Sequence, residues 1–135
     1  MNILFICKHN RFRSKIAEAY FNKLKKEDKN NKIDVQSAGI ITGKKVVLNV
    51  VEISDKLGFK IINRNSKALT EQLLAWSYIV IVVANNVPPW IFYNGKNKVI
   101  HWKIPDTTQN DRKRIEQISK SIINKVDKFY MKVKH

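Results

Sequence analysis

The sequence predicts an α/β fold: one domain over residues 1–135, with a four-stranded parallel sheet and helices on both faces. Three observations carry this three-layer reading. Short apolar runs rich in β-branched residues alternate along the chain with segments whose apolar residues recur at helical spacing. Tyr78-Ile79-Val80-Ile81-Val82-Val83-Ala84 is almost wholly apolar, which suits a strand covered on both faces. No internal repeat and no linker rich in proline, glycine or serine divides the chain.

Asn2-Ile3-Leu4-Phe5-Ile6 places the first strand over 2–7. Ser14-Lys15-Ile16-Ala17-Glu18-Ala19-Tyr20-Phe21 opens a helix over 13–28, which ends in the polar turn Asp28-Lys29-Asn30-Asn31. The second strand spans 32–37. After a loop from Gly39 to Lys45, Val46, Val47, Leu48, Val50, Val51, Ile53 and Leu57 line a helix that stops at Gly58. Thr70 starts a short helix that runs to Trp76, and the third strand is the run 78–84. Pro88-Pro89 opens a turn or short helix through Tyr93, Lys98-Val99-Ile100-His101-Trp102 is the fourth strand, and 109–133 reads as a long basic amphipathic helix.

A chain of 135 residues buries roughly two-thirds of its unfolded surface, enough for one core. No run approaches the roughly 20 apolar residues of a membrane span, and Met1-Asn2-Ile3-Leu4 lacks a signal-peptide pattern. The one cysteine cannot form an intrachain disulfide, which points to a reducing cytoplasm. His9, His101 and His135 are scattered, so no metal site and no cofactor is expected. The 26 Lys and Arg against 11 Asp and Glu give a net charge of +15. Such a field draws anions, nucleic acid included, but lysine and asparagine abound throughout and a solvated helix face explains the charge more simply.

The chemistry concentrates in Cys7-Lys8-His9-Asn10-Arg11-Phe12-Arg13-Ser14. This places a thiol at a strand end, then a tight polar loop, then a helix N-terminus. Backbone N–H groups in such a turn point into one concavity, and the helix end adds partial positive charge. A tetrahedral dianion fits there. Arg13 offers a planar fork of donors to two of its oxygens, and the same field favours thiolate over thiol. The Ser14 hydroxyl can donate to that thiolate, and Asn10 is a residue type that tolerates left-handed backbone. The competing reading makes Cys7 a small apolar plug at the end of a core strand.

Ligands of parallel α/β sheets bind beyond the carboxyl ends of the strands. Cys7 ends the first strand, Ser37 the second, Asn85 follows the third and Asp106 the fourth, so all four should share one rim. Two readings of Asp106 stand: a general acid for the leaving oxygen, or a loop residue capping the last helix. Asp111 is the alternative acid or a first-turn helix acid. Ser37 either supports the Asn10 backbone or is a plain turn serine.

Ile3-Leu4-Phe5-Ile6-Cys7, Asn10, Arg13-Ser14, Ile16-Ala17-Glu18-Ala19 and Phe21 resemble the low-molecular-weight protein tyrosine phosphatases, relatives of the thioredoxin-coupled arsenate reductases. Val35-Gln36-Ser37-Ala38-Gly39 is similar to the family's Ser-Ala-Gly segment, Ser66-Lys67-Ala68-Leu69-Thr70 to the segment before its third strand, and Ile104-Pro105-Asp106 to its acid loop. The resemblance implies Cys7, Arg13 and Asp106 as catalytic residues. It makes Lys8, His9, Asn10, Arg11, Phe12, Arg13 and Ser14 the phosphate loop, with Ser14, Asn10 and Ser37 in support. The chain departs from the pattern at His9, where the family has glycine, and at Arg11 and Phe12, where it has apolar residues or cysteine. Thr107 and Thr108 follow Asp106 in place of a proline and aromatic residues, which leaves Trp90, Phe92 or Tyr93 to wall the pocket if they do not simply pack.

These residues lead to hydrolysis of a phosphomonoester, on a phosphorylated protein or a small phosphoester, through a phosphocysteine, with phosphate as product and inhibitor. Phosphoarginine would leave the mechanism unchanged. Two rivals stand: arsenate reduction with an external thiol, since the chain has no second cysteine for a relay, and a non-catalytic module binding anions or nucleic acid. No membrane partner is expected.

Overall fold

A computed structural model describes residues 1–93 and 95–135. Four strands, β1 (Asn2–Cys7), β2 (Asp34–Gly39), β3 (Ile79–Val83) and β4 (Lys98–Trp102), pair in parallel in the order β2-β1-β3-β4. The helices are α1 (Arg13–Glu27), α2 (Leu48–Lys56), α3 (Glu71–Trp76) and α4 (Arg112–Val133), with a 3₁₀ turn at Pro89–Phe92. The chain leaves β1 toward β2 on one side and returns to β3 on the other. The crevice of such a topological switch therefore opens at the end of β1, where Cys7 stands.

Alternation along the strands divides the core into two layers. Ile3, Phe5, Ile79, Ile81 and Val83 face the larger layer with α1, α2 and α4, whereas Leu4, Ile6, Val80 and Val82 face the smaller one. Leu73, Leu74 and Trp76 of α3 and Phe92 of the 3₁₀ turn cover that second face. Both faces of β1 and β3 are thus buried, which is why neither strand shows a polar alternation. On α4, Ile115, Ile118, Ile122, Val126 and Phe129 recur at helical spacing and fill the larger layer. Phe21 of α1 meets Tyr130 edge-on, with ring centroids 5.1 Å apart, and packs on Phe5 and Phe129. Two further bonds lock α1 against α4: Tyr20 donates to Asp127 (2.6 Å), and Tyr130 donates to Asp28 (2.9 Å) just past α1.

Several boundaries differ from the sequence reading, each for a local reason. The second strand covers Asp34–Gly39 instead of 32–37, because Ala38 and Gly39 pair with Ile6 and Cys7. Ser37 therefore lies inside β2 and does not end it. The helix expected from Val46 begins at Leu48: the Val46 N–H donates to the Arg64 carbonyl, and the Val46 carbonyl accepts two bonds from the Arg64 guanidinium. The last helix begins at Arg112 and not at Gln109, since the Asp111 carboxylate accepts the Arg114 N–H and caps it. Asp111 is accordingly an N-cap, one position before the first turn.

Candidate active site

The loop between β1 and α1 turns sharply because Asn10 takes a left-handed conformation, φ 52°. Gly39 makes room for it. A β-carbon there would sit 2.7 Å from the Asn10 nitrogen and 2.8 Å from the His9 carbonyl carbon, so only glycine lets β2 pass this close. No side chain caps the N-terminus of α1 at Phe12, which leaves the first-turn amides without a side-chain acceptor.

Inside the loop, Cys7 Sγ lies 2.9 Å from Ser14 Oγ. The buried Asn10 amide donates both hydrogens, to Ser14 Oγ (2.8 Å) and to Ser37 Oγ (2.9 Å). Its Oδ1 accepts the Lys67 N–H at 2.8 Å. Ser37 in turn donates to Glu18 Oε1 at 2.7 Å. The amide nitrogen can only donate, so the Ser14 oxygen accepts on that side. When sulfur is a thiolate, the Ser14 hydrogen goes to it. Ser37 thus meets the Asn10 side chain, and is neither a support for the Asn10 backbone nor a plain turn serine. Glu18, one turn beyond Ser14, joins this network through Ser37, and the sequence shows it only as a helix carboxylate within the Ile16-Ala17-Glu18-Ala19 run.

Arg13 is 1% exposed although it carries a full charge. Its Nη1 donates to the Ile104 carbonyl (2.8 Å), its Nη2 to Asn86 Oδ1 (2.9 Å), and Nη2 stands 3.4 Å from Asp106 Oδ2. The guanidinium therefore joins α1 to the segments after β3 and β4. Asp106, with 27% of its side chain exposed, also accepts its neighbour's amide through Oδ1, from Thr107 N at 2.9 Å. Asn85, expected on the rim, contributes its backbone N–H to the Ile104 carbonyl, and Asn86 makes the side-chain contact. That choice depends on loop geometry that no spacing in the sequence reveals.

The remaining loop residues divide by exposure. Phe12 is buried in the larger layer, while Lys8, His9 and Arg11 are half-buried. The His9 ring nitrogen Nδ1 lies 3.0 Å from the Ile41 carbonyl. Trp90 and Tyr93 are exposed, and Phe92 is buried in the smaller layer. Lys15, directly after the loop, is buried and donates to the Asn63 carbonyl at 2.9 Å. Burial holds its ammonium below the ordinary lysine range, against the opposing pull of Glu18.

The family model described as low molecular weight phosphotyrosine protein phosphatase matches residues 2–135. The chain belongs to that family. No curated protein matches it in sequence. Among solved structures, the T. tengcongensis low molecular weight protein tyrosine phosphatase is 21% identical with a TM-score of 0.86, over 98% of this chain and 99% of that one. YwlE, a Bacillus subtilis protein, is represented by an arginine phosphatase structure with a phosphorylated active-site serine in place of cysteine. It is 22% identical with a TM-score of 0.87, over 99% of this chain and 96% of that one. A thioredoxin-dependent arsenate reductase from Corynebacterium glutamicum is 25% identical with a TM-score of 0.75, over 97% of this chain and 60% of that one. Low molecular weight phosphatases and arsenate reductases thus share this fold, a four-stranded parallel sheet between helices. Among the described residues, no helix is long and apolar enough to cross a membrane.

Proposed function

We propose that the chain is a cysteine-dependent phosphomonoesterase of the protein tyrosine phosphatase type, with residues 1–135 as one catalytic domain at work in the cytoplasm. The Cys7 thiolate attacks phosphorus, the S–P bond forms and the ester P–O bond breaks. Asp106 gives its proton to the leaving oxygen. Water then attacks the phosphocysteine, Asp106 takes a proton from it, and the S–P bond breaks to release phosphate, which can rebind as an inhibitor. Lys8, His9, Asn10, Arg11, Phe12, Arg13 and Ser14 surround the phosphoryl oxygens, with Arg13 and the loop amides as donors. Ser14 steadies the thiolate, Asn10 and Ser37 steady Ser14, and no cofactor takes part.

The observation that carries this reading is the position of Arg13, buried at the loop's end with Asp106 Oδ2 3.4 Å from Nη2. A phosphoryl group docking on Arg13 arrives beside the carboxyl group that its leaving oxygen requires. The test is aryl-phosphate hydrolysis by wild type, Cys7→Ser and Asp106→Asn. Wild type should turn over, Cys7→Ser should not, and Asp106→Asn should lose about 10²–10⁴-fold in kcat. An inactive wild type, or a Cys7→Ser protein with full activity, overturns the proposal; an unaffected Asp106→Asn overturns the acid assignment. Phosphoarginine belongs in the same assay because YwlE is an arginine phosphatase. Arsenate reduction is the second reading, favoured by the likeness to the Corynebacterium reductase. With Cys7 the only cysteine, it needs an external thiol, and arsenate-dependent thiol oxidation measures it.

A further inference from the structure

Three segments that meet at the Cys7 loop carry no carboxylate. Residues 7–17, 35–51 and 61–70 contain no Asp or Glu. The fold draws these segments together. The Ile40 and Ile41 N–H groups donate to the Lys8 carbonyl, Gly43 N–H to Ser66 Oγ, Val46 N–H to the Arg64 carbonyl, and Lys67 N–H to Asn10 Oδ1. Lys8, Arg11, Lys44, Lys45, Arg64 and Lys67 therefore lie on the loop or on the strips beside it. Lys44, Lys45, Arg64 and Lys67 are exposed, and none of the six has a carboxylate partner among the described residues. The carboxylates next to the loop are already engaged, Asp106 with Arg13 and Glu18 with Ser37. On α2 and α4 the pattern differs, for Lys56, Arg112 and Lys120 there meet Glu116 or Glu52. Exposed Ile41 adds an apolar contact beside His9.

We propose that this mouth selects phosphorylated protein segments whose phosphoresidue is flanked by Asp or Glu, with Lys44 and Lys45 among the residues that read the flanks. The inference rests on the phosphatase reading of the same site. Carboxylates beside the phosphoresidue meet unpaired ammonium groups, which raises capture and excludes cationic segments by like-charge repulsion. Phosphomonoester chemistry favours a protein side chain over nucleic acid, because the internal phosphates of nucleic acid are diesters and offer no terminal phosphoryl group. Cys7, buried at the loop floor, further suits a phosphate presented on a side chain.

The experiment compares kcat/KM on two phosphotyrosyl peptides that differ only in two flanking residues, glutamate or glutamine, with an aryl phosphate as reference. Wild type should prefer the acidic peptide about tenfold at low ionic strength, with the preference collapsing toward unity at high salt. A Lys44→Ser/Lys45→Ser protein should lose most of that preference. A Lys128→Ser/Lys132→Ser protein, with the same charge removed from the C-terminal half of α4, should keep it. Equal rates on both peptides with active aryl-phosphate hydrolysis overturn the proposal and leave the phosphatase reading standing. So does equal loss in both variants, which would assign the effect to net charge alone, or faster hydrolysis of a 5′-phosphorylated oligonucleotide than of the acidic peptide. Failure on every substrate overturns the phosphatase reading itself.

Discussion

Replacing Asn10 tests the loop most directly, because one side chain serves its conformation and its hydrogen bonding at once. Asn10 is fully buried with φ 52°, and its side chain makes three bonds, to Ser14, Ser37 and the Lys67 amide. In Asn10→Ala all three go. Ser14 and Ser37 keep Cys7 and Glu18 as partners, so each loss there lies toward the low end of about 0.5–1.5 kcal/mol. The Lys67 N–H keeps no such second partner and sits nearer the high end. Alanine shares the β-carbon of asparagine but lacks its tolerance of left-handed backbone, which adds up to about 1 kcal/mol. The sum is about 3 kcal/mol, a fall of about 1.5 M in urea midpoint for a domain of this size. Asn10→Gly loses the same bonds but relaxes the backbone, and should recover about 1 kcal/mol of that loss. Urea unfolding of the three proteins gives the comparison, and aryl-phosphate kcat should fall about tenfold in both variants as Ser14 loses its donor. If Asn10→Ala costs under about 0.5 kcal/mol, or is at least as stable as Asn10→Gly, the reasoning from backbone and amide is refuted.

Three further outcomes follow from the geometry. Gly39→Ala drives a methyl group into the His9–Asn10 backbone and should destabilise by about 1–3 kcal/mol while also lowering activity; an unchanged melting temperature would show that the loop yields freely. Arg13→Lys keeps the charge but cannot reach Ile104 O, Asn86 and an oxyanion together, so kcat/KM should drop at least about a hundredfold, and activity near wild type would refute the fork argument. Burial and the Asp127 bond raise the Tyr20 phenol above its ordinary range, so the folded state holds that proton when the unfolded chain gives it up. Its stabilisation is complete below about pH 10 and declines above it, so the stability gap between wild type and Tyr20→Phe should narrow between pH 9 and 11 in urea titrations. A gap that widens in that interval would contradict the assignment.

The strands and the core of the candidate site were legible in sequence because their signals are local. A buried strand needs a continuous apolar run, and a loop that cradles an oxyanion needs its thiol, its asparagine and its arginine-serine pair within one turn. What escaped depends on contacts across the chain. Glu18 looks like any helix carboxylate until β2 brings Ser37 to it. Asn86, not Asn85, meets Arg13 because of the path taken after β3. Val46 carries a helix-compatible pattern, yet Arg64, eighteen residues on, takes up its carbonyl outside the helix. Lys15 reads as a solvent lysine, and only the 59–70 segment, through the Asn63 carbonyl, shows why it is inside.

The solitude of Cys7 has a bearing on oxidative damage. Peroxide converts a reactive thiolate to sulfenic acid, which a nearby second thiol can capture as a disulfide before oxidation proceeds. This chain has no second thiol, and Phe12 fills the buried position near the end of the loop. Recovery of the oxidised loop therefore depends on thiols from outside, and without them the sulfur moves on to the irreversible sulfinic state.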